Sequence, residues 1–589
     1  MDETPQSIWK KPLRSPKQTL TWFALLAGAL FVIIVCISFL QGASGRNMDS
    51  ILSALVAALV ITSVVFVGLW FLRWVCCWRN FRRLLFGVAC LVTLVVLAFT
   101  IESLRGKYAW QKHRQQWEAK GAKFTFAELL PPKVPDEKNF ALTPLLVPML
   151  DFTQGSNGVV WRDTNGIARL EKLSATLSPG RETNDQLLLG RLEKGTFADI
   201  ASWAEFYHGN TNYPQASATT NRTEPILVAL GKFDAELQQL QDAANSRPYS
   251  WFPIQYDYQP SWGILLPHLA RMKGLTMLTQ VRATARLEAG KSEEAFADLK
   301  LGLRLSDSIR EEPLLIDHLV RIATLAVDLQ TLREGLIRHA WTEPQLIEIG
   351  KYLASVDLLA EYAQAMQGER ALGVSGLDYL RRRGFRENPM NYIADSEGGS
   401  ASAGNFNLMP GGWIYQNMKT ISEMHQEFTL PAVDAKAHRI FPEISERGTR
   451  AVETMRTGPY TIFAKMLLPA LQKSLQKSAR MQTYVDDARI SCALERYRLA
   501  EGKLPDTLDV LAPRFIDQIP NDVIDGKPLR YRRNSDGGYV LYSVGWNRKD
   551  DGGELAWVKQ KKGSEVDVAM GDWAWLMPVN PDSATFAAD

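Results

Sequence analysis

Apolar and polar positions follow three different rhythms along this chain. The N-terminal part holds three unbroken apolar runs, Thr21–Leu40, Ile51–Leu72 and Leu84–Ile101, of 18 to 22 residues without a charge. Each is long enough to cross a hydrocarbon core of about 30 Å. A segment in lipid must satisfy its own backbone groups, so the runs predict three transmembrane helices within residues 1–103. Lys10, Lys11, Arg14 and Lys17 precede the first run, and Arg73, Arg79, Arg82 and Arg83 fill the second loop, against Arg46 alone in the first loop. Basic flanks stay on the cytoplasmic side. The N-terminus is therefore expected in the cytoplasm and, after an odd number of spans, the bulk of the chain outside it, anchored in the inner membrane. Basic residues from Arg105 to Lys123 oppose this orientation, but long domains translocate largely regardless of such charge. None of the runs contains Asp, Glu, Lys, Arg or His, the usual marks of an ion or proton path. The spans read as an anchor in the lipid bilayer.

The second rhythm is helical. Residues 104–264 are mixed: short apolar pieces around "VPMLDF" and "GVVWRD", amphipathic stretches at "GTFADIASWAEFY" and "EPILVALGKFDAELQQLQDAA", then the aromatic, proline-rich "RPYSWFPIQYDYQPSW". Prolines there are too frequent for a helix. Residues 265–394 predict a stack of four helices. The first stops at Gly290, a favoured residue just past a helix end. The second starts at Ser292 with Glu293 and Glu294 in its first turn, and Pro313 opens the third, as first-turn prolines do. Thr342 and Gln345 form a capping box for the fourth. The hairpin at "LEAGKSEEAFADL" is similar to a tetratricopeptide repeat through Ala285, Gly290, Ala295, Leu299 and Leu303, but no second copy follows at a period of 34 residues, so a helical bundle is expected in place of a solenoid. Residues 395–458 begin with the Gly/Ser-rich "DSEGGSASAGNFNLMPGG", read as a linker, and continue into connecting helices. A long helix is predicted from Pro459 to Gly502, with Met481, Tyr484, Val485 and Ala488 and then Ile490, Ala493, Leu494 and Tyr497 at buried-face spacing. The third rhythm has period two: "KPLRYRR", "NSDGG" and "YVLYSVG" predict a β-hairpin inside 459–589. The fold class is thus mainly α: a membrane anchor, an extracytoplasmic helical bundle and a small α+β C-terminal domain.

Charge and composition remove several functions. A formal charge of +3 on 589 residues gives no basic face for nucleic acid. "GKS" at Gly290–Ser292 lacks the glycine that a P-loop needs at position 285, where Ala285 stands, and no nucleotide is expected. Of five cysteines, only Cys492 lies beyond the apolar segments, so neither a disulfide framework nor a zinc cluster of thiolates can form there. The seven histidines never fall at the four-residue spacing that offers two to one metal. Ser402 lacks a nucleophile elbow. Asp357 and Glu361 share a helix face, which a solvated surface explains as well as hydrolysis does.

Near the C-terminus an apolar strand runs into "GWNRKDDGGE". Together with the long helix, "LPDTLDVL" and "IPNDVIDGKPLRY", these residues resemble the globular domain of the major pseudopilin of type II secretion, over roughly the last hundred residues. The resemblance implies a calcium ion held by loop carboxylates and backbone oxygens. Asp550 and Asp551 match the acidic loop, Tyr542, Ser543 and Gly545 match the strand leading into it, and Asn547, Asp567 and Asp572 are further ligand candidates. Calcium takes six to eight oxygens, and modules outside cells hold it at about 10⁻⁴ to 10⁻³ M. The apolar helix that opens a pseudopilin has no counterpart before this domain, where Lys465 and Pro469 interrupt the sequence, so the likeness extends to the globular part and not to polymerisation. The expected function is non-enzymatic: binding an envelope protein in assembly or secretion. The alternative is an envelope hydrolase acting on peptide or glycan, with its site in the aromatic region 251–262.

Overall fold

The computed structural model describes residues 16–40, 56, 59–68, 71, 78–155, 158–175, 189–217, 221–383, 409–471, 473–560 and 563–578. The chain divides into two units, Met1–Glu102 and Ser103–Asp589. In the first, helix α1 covers Pro16–Leu40, Leu59–Gly68 is helical, and helix α2 (Trp78–Glu118) begins. Among the described residues one helix, Phe81–Glu118, is long and apolar enough to cross a membrane. Its apolar stretch presents Leu91, Val95 and Phe99 outward, and Thr93 and Thr100 turn their hydroxyls back to the carbonyls of Ala89 and Val96, each at 2.8 Å. That satisfies the only polar side-chain groups of the run inside the helix itself. The second predicted run, Ile51–Leu72, lies partly outside the described residues.

The second unit is mainly helical. Its central stack is α3 (His268–Glu288), α4 (Ser292–Asp307), α5 (Leu315–Ile337), α6 (Glu343–Ala354) and α7 (Leu358–Arg383). Local signals set these ends. Gly290 takes a left-handed φ of 73° after α3, and the Thr342 N–H donates to Gln345 Oε1 at 2.9 Å before α6. Ser292 is the first residue of α4, one position inside its expected cap, and Pro313 stands two residues before α5. The helix expected from Pro225 onward is broken: Glu224–Leu230 and Asp234–Ser246 are joined by a tight turn at Gly231–Phe233. Helix α8 (Gly411–Met424) follows the part of the expected linker that lies outside the described residues.

The long helix expected from Pro459 is also interrupted. Ile462–Leu467 gives way to a 3₁₀ turn over Leu468–Leu471, and α9 runs from Ser474 to Glu501. Pro469 lacks an N–H and its ring clashes with the preceding turn, so an α-helix cannot continue through it. Gly502, at φ 73°, closes α9.

Two short hairpins, β1 (Phe152–Gly155) with β2 (Gly158–Trp161) and β3 (Val433–Asp434) with β4 (Arg439–Ile440), lie in the connections. The strands β5 (Arg530–Arg533), β6 (Tyr539–Ser543) and β9 (Trp573–Met577) form an antiparallel sheet in the order β5-β6-β9, and β7 (Leu555–Gln560) pairs with β8 (Gly563–Gly571). Helix α9 packs on this sheet and also on α5, α6 and α7. One hydrophobic core therefore joins Leu332 and Leu346 of the stack, Tyr484 and Val485 of α9, and Leu541 and Trp575 of the sheet. A second core gathers residues 140–243 against α3. A third surrounds Trp110 of α2, with Leu377, Ile414, Met418 and Phe463.

Candidate functional site

Sequence points first to the loop after β6. Gly545 and Arg548 both have positive φ, 64° and 62°, so the chain turns sharply as it leaves the strand. Asn547 Oδ1 accepts the Lys549 N–H at 3.0 Å, and its amide donates to Asp551 Oδ2 at 3.3 Å. Lys549 Nζ holds Asp551 Oδ1 at 2.6 Å. Asp550 accepts from Arg530 Nε at 2.8 Å and from the Gly552 N–H at 3.1 Å. Asp572, just before β9, is buried and accepts the N–H groups of Gly553 (2.6 Å) and Asp551 (3.1 Å). Burial pushes its carboxyl up to about 6 against those bonds, with the charges of Asp550 and Asp551 adding to the rise. Three aspartates and Asn547 are thus brought into one loop. Asp567 stands apart on β8, accepting the N–H of Ala569.

A residue that sequence reasoning passed over organises this end of the sheet. Asp522 is fully buried and accepts the N–H groups of Ile524 (2.8 Å) and Val544 (3.0 Å), the Ser543 hydroxyl (2.8 Å) and Arg530 Nη1 (3.3 Å). Arg530 also reaches Asp525 at 2.6 Å. Its position in "IPNDVIDG" was visible in the sequence; its burial was not.

The helical stack holds a second acidic cluster. Asp357 caps α7 through the N–H groups of Leu359 and Ala360, while Glu361 pairs with Arg310 at 3.1 Å, and burial pushes it up to about 7. The two therefore serve different structural roles. Deeper in, His268 is the first residue of α3, Glu312 lies in the turn between α4 and α5, and Asp317 sits in the first turn of α5. His268 Nε2 meets Glu312 Oε2 at 2.9 Å, and the His268 ring stacks on Phe252 with centroids 4.3 Å apart. One ligand atom from each of His268, Glu312 and Asp317 lies within 4.8 Å of the others. Asp317 Oδ2 accepts the Leu314 N–H at 3.0 Å. Burial, then Glu312 and Glu369, hold its carboxyl well above the ordinary range. Glu369, on α7, accepts the Leu315 N–H and is pushed by burial to about 7.

Tyr256, from the aromatic region singled out in the sequence, borders this cluster. Burial, then Glu312 and Asp317, raise its phenol well above the ordinary value. It also lines a cleft of about 650 Å³ whose walls include Trp110, Arg114, Phe126, Asp257 and Ala371. No spacing along the chain joins Tyr256, His268, Glu312 and Asp317. The one visible signal was an acid, Asp317, inside the otherwise apolar opening of a helix.

Searches against protein-family models, curated proteins and solved structures found no match to this chain.

Proposed function

We propose that this chain is a membrane-anchored protein of a bacterial envelope whose folded part lies outside the cytoplasm and acts by binding another envelope protein in assembly or secretion. The observation that carries this reading is α2. It continues without a break from an outward-facing apolar stretch to Glu118, and its later turns bury Trp110 and His113, the latter bonded to Ser422 of α8 at 2.9 Å. One helix therefore carries both the apolar stretch and residues that belong to the folded part. The orientation rests on the basic flanks, and the link to secretion on the resemblance of the C-terminal residues to pseudopilins. Calcium belongs to the same reading. Asn547, Asp550, Asp551 and Asp572 would hold it, and the ion would fix the loop after β6. The exposed Lys549 pair yields easily, since surface ion pairs are worth about 0–1 kcal/mol. The test is a cross-linked pull-down of the full chain from membranes, with protease added to intact cells. Recovery of one envelope protein and cleavage beyond Ile101 support the reading. Protection of that region, with cleavage of the Arg73–Arg83 loop, overturns it.

A hydrolase acting on peptide or glycan is the second reading, supported by the cleft that Tyr256 and Asp257 line. Turnover of such a substrate, abolished by Asp257→Asn, would put it first.

A further inference from the structure

We propose that His268, Glu312 and Asp317 bind one divalent first-row transition-metal ion, which clamps the start of α3, the turn after α4 and the start of α5. Three independent observations converge on this site. The donor set is right: one imidazole nitrogen and carboxylate oxygens suit zinc or manganese, and ligand atoms on such an ion stand about 3–4 Å apart, a small contraction from the present spacing. No other trio of His, Cys or carboxylate donors at this spacing occurs among the described residues.

The charge is also unbalanced. Buried carboxylates need a partner or a proton. Asp298, equally buried, is gripped by Arg282 and by Arg286, the latter at 2.6 Å. Around Glu312, Asp317 and Glu369 no Arg or Lys forms an ion pair among the described residues; His268 is the one basic group in contact. Two carboxylates and a neutral imidazole would be balanced by a divalent ion.

Finally, polar atoms are left over at this point. Glu312 Oε1, Asp317 Oδ1 and the Tyr256 hydroxyl are buried and have no hydrogen bond of good geometry, although Tyr256 and Asp317 both stand close enough to Glu312 to share a proton with it; His268 and Asp317 have no exposed surface. Three such oxygens on neighbouring side chains are costly to bury unless a ligand or a shared proton uses them. With three protein ligands, a fourth position remains for the Tyr256 hydroxyl or a water.

The competing account is a proton shared between Glu312 and Asp317 with no metal. To separate the two, the full chain in detergent micelles is stripped with chelator and dialysed against Zn²⁺, and its metal content and affinity are measured. One equivalent per chain is expected, undisturbed by millimolar calcium, with affinity reduced at least about tenfold in His268→Ala and Asp317→Asn. Because either variant could misfold, the wild-type chain labelled with ¹⁵N-histidine gives a second readout. Substoichiometric Mn²⁺ should broaden one of the seven imidazole signals. Failure of the wild type to retain Zn²⁺ together with no broadened signal overturns the proposal, as does undiminished binding in both folded variants.

Discussion

Around Arg530 three carboxylates, Asp522, Asp525 and Asp550, close on one guanidinium at 2.6 to 3.3 Å. Glu312, Asp317 and Glu369 also stand together, yet their one basic contact among the described residues is His268, at 2.9 Å from Glu312. The first cluster lies at the edge of the sheet and has a permanent cation at its centre. The second lies inside the helical stack, where burial holds up Asp317 and Glu369 and the neighbouring carboxylates add to the rise at Asp317. One region shares a guanidinium among its acids, although burial still raises Asp522; the other has no such side chain among the described residues and needs protons or an ion. The two should therefore respond in opposite ways to the same perturbations.

The largest expected effect is at Arg530. Arg530→Ala strands the buried Asp522 and should destabilise the chain by about 3 kcal/mol, because removing one partner of a buried pair leaves an uncompensated charge. Asp317→Asn, measured in chelator at neutral pH, should be neutral or stabilising, since the amide oxygen can still accept the Leu314 N–H while a buried acid is removed. Thermal melts of the full chain in micelles would show both. Equal losses would erase the contrast.

Gly368→Ala tests how tightly the turn bearing Glu312 is held. A Cβ at Gly368 would run into the carbonyl of Pro313, the residue after Glu312. Rigid backbone cannot give way as a side-chain end can, so a loss of about 1–3 kcal/mol is expected, together with weaker metal uptake at His268. A melt indistinguishable from wild type would mean that α7 and the turn can part freely.

These particulars also show what the sequence could carry. The Thr342–Gln345 box, the stop at Gly290 and the β5–β6 hairpin depend on residues within a few positions of one another, and all were legible. The break at Pro469 was equally local, but a continuous helix was expected from Pro459 to Gly502 although the proline stands inside it. The His268 cluster draws its donors from the starts of two helices and a turn between two others. Only packing brings them together, and no pattern along the chain encodes that meeting. Asp522 falls between these cases: its place in a turn was readable, whereas three of its four hydrogen bonds depend on β6 and Arg530 arriving beside it.

Glu369 gives the comparison a pH axis. Its folded pKa, pushed to about 7, lies above the ordinary carboxylate value. The folded chain therefore holds a proton that the unfolded chain has lost, and stability falls as pH rises from about 4.5 to 7. Glu369→Gln keeps an acceptor for Leu315 and should flatten this slope, raising stability by on the order of 2 kcal/mol at pH 8. Asp572, at about 6, has the same sign over a lower window, so stability should also fall between about pH 4 and 6 and level in Asp572→Asn. Melts across pH 4 to 8 would separate the two windows. A slope unchanged from wild type in both variants would mean that neither carboxyl is held up by burial.

The smallest effect is expected at Lys549, whose pair with Asp551 is exposed. Lys549→Ala should change stability by less than about 0.5 kcal/mol in chelator, as surface pairs do. Calcium makes the same variant informative. If the ion binds at Asp550 and Asp551, it competes with the lysine for the Asp551 carboxylate, so removing the lysine should tighten calcium binding and enlarge the thermal shift at millimolar calcium. No shift in either form would leave this loop closed by its own cations, like Arg530 among its three aspartates, and would leave the His268 cluster as the chain's one candidate for a metal among the described residues.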